Sequence, residues 1–492
     1  MAQESFRFHR HSNATVSIQH LGSRKWLRVQ AGSHLLVAEA ELEQAERFVT
    51  RVISSGTAAV AAACADAQVS IVAVGNDPHL LGRETEDRPN LALPQTFAEI
   101  WRTAAAATSG ASVLAVVSSY PYAIPAEAAA ADAVLWTSHG GQELGPGLVD
   151  VLSGDTEPSG RLQQTWWARE ADAGDVLEYD VVQAQMTYRY SPAQPLYAFG
   201  HGLTYSTVAY EGVELSTTAV ESPGPTLTHA AALGGEAADA TGEVIATVHV
   251  RNTGDRVAHE LVALYALAPE LPIVAPRTRL AAWARVTLLP GEARSVHLAV
   301  SLGLLAVWDV AADAGSRTAA TPGAYRVQPC TYELASGPSA ADLPVRADLV
   351  VTGEAPVARR LADLDALEAH GFHRSSDVVT SDRTPLLGSV IEVAPGSVQG
   401  WARYDGLDLT GASALTIEVA DRGGIGRPSV AVAWRRAGQE RAPWRPLGSV
   451  TVTSDGRYDL RTVEVTLAEP VTGPADLRIT LTGGARVASL ST

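Results

Sequence analysis

The chain has 492 residues, of which 46% are hydrophobic and 18% are charged, a composition typical of a globular protein with several domains and not of a disordered one. Its formal net charge of −17 opposes binding to phosphate backbones, so we expect no nucleic-acid partner. The N-terminus lacks a basic and then apolar secretory pattern, and no apolar run is long enough to span a bilayer. We therefore expect a soluble chain without a signal peptide and without a membrane partner.

Residues 1–50 form the first predicted segment, which is rich in short β-strands. Strand-like pieces such as Thr15–Gln19 and Trp26–Gln30 are separated by turns that contain glycine. The segment resembles one repeat of a fascin-like β-trefoil. Because a single repeat cannot bury its own apolar face, we expect it to dock on a neighbouring part of the molecule or to be a remnant of a larger domain.

Residues 51–175 alternate between helical and strand-like patterns. The apolar runs Val69–Val74, Val113–Val117 and Ala133–Trp136 are separated by helical segments, the longest of which begins near Pro94. Continuous apolar strands between helices predict a mostly parallel sheet that is covered on both faces. The fold class expected here is a parallel-sheet α/β sandwich.

Each predicted strand of this sheet is followed by a polar loop, and these loops are residues 75–93, 118–124 and 138–143. Ligands of parallel α/β sheets collect beyond the carboxyl ends of the strands, so we expect the three loops to share one edge. Gly140 and Gly141 precede a helix and could bind an anion, which leaves a flavodoxin-like nucleotide site as a rival interpretation. No Gly-x-Gly-x-x-Gly pattern follows the first strand, which disfavours that rival.

Four motifs in this region together resemble glycoside hydrolase family 3. The first is Gly75–Arg88, an acidic loop in which a Glu stands three residues before Asp-Arg, followed by Leu91-Ala-Leu-Pro-Gln95. The others are Trp136–Glu143, the Gly-Asp-x-x-Pro-Ser-Gly-Arg-Leu run of Gly154–Trp166, and the Phe-Gly-His-Gly-Leu motif within Pro195–Tyr205. The resemblance covers residues 50–206 and implies the family's C-terminal α/β domain at residues 51–175, with residues 176–206 as a linker.

The resemblance implies Glu84 as the general acid/base, with Glu86 as the second choice. His79 and Arg83 flank the same loop and, with Glu86, are candidate substrate contacts; the alternative for His79 and Arg83 is that they face only water. A retaining glycosidase needs a protonated carboxyl group about 5 to 5.5 Å from a nucleophilic carboxylate. The alternative is that Glu84 and Glu86 are ordinary solvated loop charges. No spacing matches a known metal-ligand set, and we expect neither a metal nor a cofactor.

Period-two alternation dominates the remaining chain and predicts two β-sandwiches. Residues 207–352 are similar to the fibronectin type III-like domain that ends many family 3 enzymes. Residues 353–492 begin with a predicted helix near Leu361–Ala369, and the rest is similar to a family 6 carbohydrate-binding module. Trp401, Trp444 and Tyr458 are candidates for stacking on sugar rings in that last domain, and the alternative for each is core packing.

The overall prediction is a multidomain protein of α/β plus all-β class, with a short N-terminal β segment. Its function would be that of the C-terminal portion of a retaining β-glycosidase, of β-glucosidase or β-xylosidase type, acting on oligo- or polysaccharide. The resemblance implies a nucleophile on a (β/α)₈ barrel, a fold of about 250 residues that we do not find in this sequence. We therefore expect the chain alone to be inactive without a barrel in cis or in trans. The alternative is a non-catalytic carbohydrate-binding or structural protein.

Overall fold

The structure is a computed structural model, which describes residues 6–76, 88–175, 181–182, 184–224, 242–269, 275–309, 324–354, 359–363, 366–386, 388–423, 426–437, 439 and 441–492. Most of the elements are β-strands, with few helices. The chain divides into two compact units, of which the first is Met1–Asp175 with Pro192–Leu203 and the second is Val176–Ser191 with Thr204–Thr492. Within the described residues, no helix combines the length and the apolar character needed to cross a membrane.

The first unit begins with an antiparallel sheet in which neighbouring strands follow one another along the chain, with a fifth strand pairing to the second. Its strands are Phe6–Arg10, Thr15–His20, Trp26–Val29, Leu36–Ala40 and Phe48–Val49. Several apolar side chains of this segment are exposed, including Phe8 and Leu35. The fascin-like interpretation of residues 1–50 stays a prediction.

A three-stranded parallel sheet follows, formed by Val69–Gly75, Ala111–Val117 and Ala133–Thr137 in that order. The accompanying helices are Gly56–Cys64, Gln95–Ala107, Pro125–Ala129 and Leu144–Ser153. The helix Gln95–Ala107 starts directly after Pro94 and buries Trp101 and Ala104. The strand and helix order predicted for this region is therefore confirmed.

The parallel strands can approach closely at their carboxyl ends because Gly75 has no side chain. A Cβ atom at that position would lie 1.7 Å from the carbonyl oxygen of Val117 on the neighbouring strand. The first unit also contains an antiparallel pair, in which Pro195–Tyr197 joins Trp166–Trp167. Residues of the predicted linker, 176–206, thus contribute to both compact units.

The second unit contains two sheets whose apolar side chains form one shared core, including Val248, Leu264, Leu288 and Leu334. The first sheet consists of Val208–Leu215, Glu243–Asn252 and Ala293–Ser301, in that order. The second sheet consists of Ala219–Glu221, Val345–Thr352, Cys330–Gly337, Ala258–Leu267 and Thr278–Leu288, in that order. A small pair, Val307–Asp309 with Ala324–Arg326, and the short helix Thr187–Tyr190 complete this part.

Asn252 lies fully buried at the end of its strand in this part of the molecule and is completely satisfied by hydrogen bonds. Its Nδ2 donates to the carbonyl oxygens of Arg256 (2.7 Å) and Leu288 (3.1 Å). Its Oδ1 accepts from the Ser206 hydroxyl (2.7 Å) and from the Gly254 N–H (3.0 Å). One amide side chain therefore connects three separate chain segments around residues 206, 252–256 and 288.

The C-terminal part of the second unit contains two more sheets around another shared core. We call the first the front sheet, with strands Arg359–Arg360, Gln399–Asp408, Pro474–Thr482, Ser429–Arg436 and Arg445–Thr451 in that order, and with Arg374–Ser376 also paired to Gln399–Asp408. We call the second the back sheet, with strands Val378–Asp382, Ser389–Val393, Ala485–Ser491, Ala414–Asp421 and Arg461–Thr466 in that order.

The predicted helix near Leu361–Ala369 is wrong. The structure has a short 3₁₀ turn at Leu361–Asp363 and a strand at Leu367–Glu368 that pairs with Ala485–Ser491. Leu361, Leu367 and Ala369 are all buried in the core between the two sheets. Burial of Leu367 and Ala369 on one side of an extended chain accounts for their spacing without a helix.

Candidate functional site

The candidate site lies at the carboxyl edge of the parallel sheet, where a polar residue follows each of the three strands. Asn76 follows the first strand, Ser118 and Ser119 follow the second, and Ser138 and His139 follow the third. Because the strands run parallel, their carboxyl ends lie at the same edge. This is the edge at which ligands of such sheets bind.

Asn76 holds these strand ends together. Its Oδ1 accepts a hydrogen bond from the Ser119 N–H (3.1 Å) and lies 2.9 Å from Nε2 of His139. Since an amide oxygen can only accept, His139 must donate from Nε2. The Asn76 N–H also donates to the carbonyl oxygen of Val117 (3.2 Å). The prediction that the three loops share one edge is confirmed for the residues described here.

Arg88 is fixed against the loop that follows the second strand. Its Nη1 donates to the carbonyl oxygen of Pro121 (2.6 Å), and its guanidinium lies 4.0 Å from the centre of the Tyr120 ring and 5.4 Å from that of Tyr122. A guanidinium over an aromatic face is attracted by the negative charge of the ring face. Tyr122 is only 2% exposed, and burial raises the pKa of its hydroxyl. The position of Arg88 is thus set by a buried aromatic neighbourhood.

His79, Arg83, Glu84 and Glu86 all belong to residues 77–87, which lie outside the described residues. Asn76 and Arg88 are the described residues on either side of them. The roles assigned to these four side chains from the sequence stay predictions. The structure describes the two residues that border this segment, Asn76 and Arg88, and both contact residues 117–121.

Sequence reasoning missed an aromatic series that leads from the third strand to the Phe-Gly-His-Gly-Leu motif. Nε1 of Trp136 donates to the Ser118 carbonyl oxygen (3.0 Å), and the Trp136 ring lies 6.2 Å from that of Trp166. Trp166 lies 6.3 Å from Tyr197, whose ring stacks on His201 at 5.1 Å. Burial, with a smaller contribution from a nearby arginine, lowers the pKa of His201. The signal available in the sequence was that the last three of the four motifs each carry an aromatic residue, Trp136, Trp166 and Tyr197.

The candidate sugar-stacking residues of the last domain lie at two separate places. Trp401 is half-buried on a strand of the front sheet, and Trp444 lies with its ring centre 4.7 Å from the guanidinium carbons of both Arg435 and Arg478. Tyr458 is 44% exposed and lies in a loop held by Arg486 of the back sheet. Trp401 and Trp444 are therefore both associated with the front sheet, whereas Tyr458 lies beside the back sheet.

Over the described residues, no group of three or more His, Cys, Asp or Glu side chains is arranged to hold a metal ion. Among the described side chains at the edge of the parallel sheet, Asn76, His139 and Arg88 can donate to or orient a polar ligand.

The chain is similar in sequence to proteins that are named as β-glucosidases. It is 31% identical over 236 residues to a probable beta-glucosidase I of Aspergillus niger, which corresponds to 46% of this chain and 27% of that protein. It is 28% identical over 249 residues to a periplasmic beta-glucosidase of Salmonella typhimurium, covering 49% of this chain and 30% of that protein. The chain thus spans less than a third of the length of these two curated relatives.

The fold resembles that of a solved beta-D-glucoside glucohydrolase from Trichoderma reesei, with a TM-score of 0.51 and 24% identity over 60% of this chain and 42% of that one. Residues 260–340 match the fibronectin type III-like domain, within the part where that domain was predicted. A second match begins at residue 11 and ends at residue 205, so it includes most of the first antiparallel sheet. Residues 11–205, with the edge held by Asn76 and Arg88, match the C-terminal domain of glycosyl hydrolase family 3.

Proposed function

We propose that this chain is the C-terminal portion of a family 3 retaining β-glycosidase of β-glucosidase type. The observation that carries the proposal is the match of residues 11–205 to the family's C-terminal domain, which includes the described strand ends around Asn76. The names of the relatives support a β-glucoside as substrate in preference to a β-xyloside. In this proposal the first unit contains an α/β sandwich, and the second contains two β-sandwiches.

The proposed mechanism assigns the acid/base role to Glu84. Its protonated carboxyl donates to the glycosidic oxygen as the sugar leaves, and its carboxylate later takes a proton from the attacking water. Asn76 and Arg88 would orient the segment that carries Glu84, since both are bonded to the loop after the second strand. His79, Arg83 and Glu86 would contact the substrate. The nucleophilic carboxylate would come from a barrel domain in cis or in trans.

The first test is the activity of the purified chain on p-nitrophenyl β-glucoside. We expect no turnover, because one carboxylate cannot complete a double displacement. Fusion behind the barrel of a family 3 β-glucosidase should restore turnover. Measurable activity of the chain alone would contradict the proposed division of the two carboxylates between domains.

The second test uses Glu84→Gln in the fused enzyme. The rate should fall by about 10² to 10⁴ on substrates with poor leaving groups, the usual contribution of positioned proton transfer, and far less on activated aryl glucosides. Added azide should rescue the deglycosylation step with the activated substrate, because a small anion can enter the space where the carboxylate had activated water. Glu86→Gln is the matched control in the same segment. If Glu86→Gln shows the leaving-group dependence and Glu84→Gln does not, then the acid/base assignment is incorrect.

A second candidate function is non-catalytic binding of carbohydrate through the last domain. The observation that favours it is that Trp401 lies on a strand of the front sheet and Trp444 lies against Arg435 and Arg478 of the same sheet. If the chain fused to the barrel binds oligosaccharide but shows no turnover, that result would support this function. Carbohydrate binding would then replace hydrolysis as the proposed function.

A further inference from the structure

The front sheet carries a row of three arginines on adjacent strands. In the strand register Arg374 stands opposite Arg403, and Arg403 stands opposite Arg478. Side chains that stand directly opposite share one face of a sheet, and like charges in such positions are destabilising. We call Arg374, Arg403 and Arg478 the arginine row. The chain as a whole is acidic, with a formal net charge of −17, so a general excess of basic residues does not explain this row.

The row lies on the face directed away from the core between the two sheets. Ala402 and Tyr404, which flank Arg403 along its strand, are in that core, and so are Leu477 and Ile479, which flank Arg478. Since side chains alternate between the faces of a strand, the arginines point to the other side. Contact with Trp444, which lies outside the core, agrees with this orientation for Arg478.

Two described carboxylates on this face, Asp405 and Asp476, pair with Arg403 and Arg435. Arg403 pairs with Asp405 and lies 3.8 Å from Asp476, and Nε of Arg435 donates to Asp476 at 3.0 Å. Within the described part of the chain, no carboxylate forms an ion pair with Arg478. Burial and the neighbouring Arg435 both lower the pKa of Arg478. The half-buried guanidinium of Arg478 thus lies beside those of Arg403 and Arg435, and Arg478 itself pairs with no carboxylate among the described residues.

Groups suited to a sugar surround the row. Trp401 is half-buried on the same face, two residues before Arg403 on its strand. Its register partners are Ser376 and Thr480, which present hydroxyl groups. Aromatic rings pack on the apolar faces of pyranoses, while guanidinium groups bind carboxylates through two parallel hydrogen bonds. The combination differs from an ordinary neutral sugar site by its excess of cationic groups.

We propose that this face binds a carboxylate-bearing saccharide, with a uronate carboxylate paired to Arg478 and a sugar ring stacked on Trp401. Arg374, which is exposed, contacts a second carboxylate of the same chain of sugars. Neighbouring strands are about 4.8 Å apart, so the row from Arg374 to Arg478 spans about 10 Å across three strands. That length accommodates acidic groups on successive sugar residues. This inference rests on no part of the hydrolase proposal.

The test is calorimetric titration of the whole chain with oligogalacturonide, oligoglucuronide and oligomannuronide probes, each compared with its neutral methyl ester. We expect at least one acidic probe to bind about tenfold or more tightly than its ester, which corresponds to one charge-assisted contact. Binding should weaken as salt is added, because exposed charges are screened. The ester isolates the carboxylate, since the sugar backbone is unchanged.

The variants test the row itself. Arg478→Gln should reduce binding of the acidic probe about tenfold without lowering the unfolding midpoint, because it relieves repulsion with Arg403 and Arg435. Arg374 is exposed, so Arg374→Gln provides a second measurement of acidic-probe affinity if Arg478→Gln impairs folding. Trp401→Ala should weaken binding of the acidic probe. Arg461→Gln on the back sheet is the matched control and should leave it unchanged.

Three results would overturn the proposal. One is the absence of binding by every acidic probe at millimolar concentration. Another is equal affinity for an acid and its ester, which would place the recognition outside the arginine row. The third is unchanged binding in both Arg478→Gln and Arg374→Gln, which would leave the row with a purely structural role.

Discussion

Replacement of Arg88 by methionine should destabilise the edge of the parallel sheet by about 2 to 3 kcal/mol. The substitution removes a hydrogen bond from a charged donor to the Pro121 carbonyl oxygen, a contact worth about 1.5 to 3 kcal/mol. It also removes the cation–π contact with Tyr120 at 4.0 Å, worth about 0.5 to 2 kcal/mol, while methionine retains part of the packing. The two contributions share one side chain and should not add fully.

The assay must report on this part of the chain alone, because a protein with two compact units need not unfold in a single transition. Hydrogen exchange of peptides from residues 111–137, followed along a urea titration, gives a local free energy of opening. Arg102→Met is the control, since Arg102 is exposed on its helix and its one hydrogen bond among the described residues goes to the Ala98 carbonyl oxygen of the same helix. A loss below about 0.5 kcal/mol for Arg88→Met, or an equal loss in the control, would refute the reasoning.

Three further substitutions test other parts of the fold. Gly75→Ala should destabilise the parallel sheet by about 1 to 3 kcal/mol in the same exchange assay, because its Cβ would overlap the Val117 carbonyl oxygen. Asn252→Ala should lower the unfolding free energy of the second unit by about 3 to 4 kcal/mol, about 1 for each of its four hydrogen bonds, measured by calorimetry. His201, whose folded-state pKa is lowered, contributes full stability above its unfolded pKa of about 6.5 and loses it as the pH falls toward the folded value. His201→Phe should therefore flatten the pH dependence of local opening below pH 6.5, and an unchanged slope would contradict the role given to burial.

The parallel sheet could be predicted from the sequence because a strand that is buried on both faces appears as a continuous apolar run. Val69–Val74 and Val113–Val117 are continuous apolar runs with polar residues directly after them. Parallel connectivity then places those polar residues at one edge, without any knowledge of side-chain contacts. The same reasoning failed at Leu361–Ala369, where short spacing of apolar residues fits both a helix and an extended segment in a core.

The particular contacts at the edge could not be predicted in the same way. Asn76 follows a strand as many turn residues do, and its local sequence does not show that Ser119 and His139 would meet its Oδ1. The arginine row is hidden for a related reason. Arg374, Arg403 and Arg478 are far apart in the sequence and become neighbours only through the strand register.

The way Asn76 and Arg88 are anchored has a consequence for how this region can change over evolution. Both residues are bonded to residues 117–121 of the neighbouring strand end and loop, and residues 77–87 lie between them. The contacts described at the two ends of that segment are made to residues 117–121 and, from Asn76, to His139. Segments of different sequence or length could be exchanged between the same two anchors, as in loop grafting, and specificity could diverge while the strands beneath stay the same.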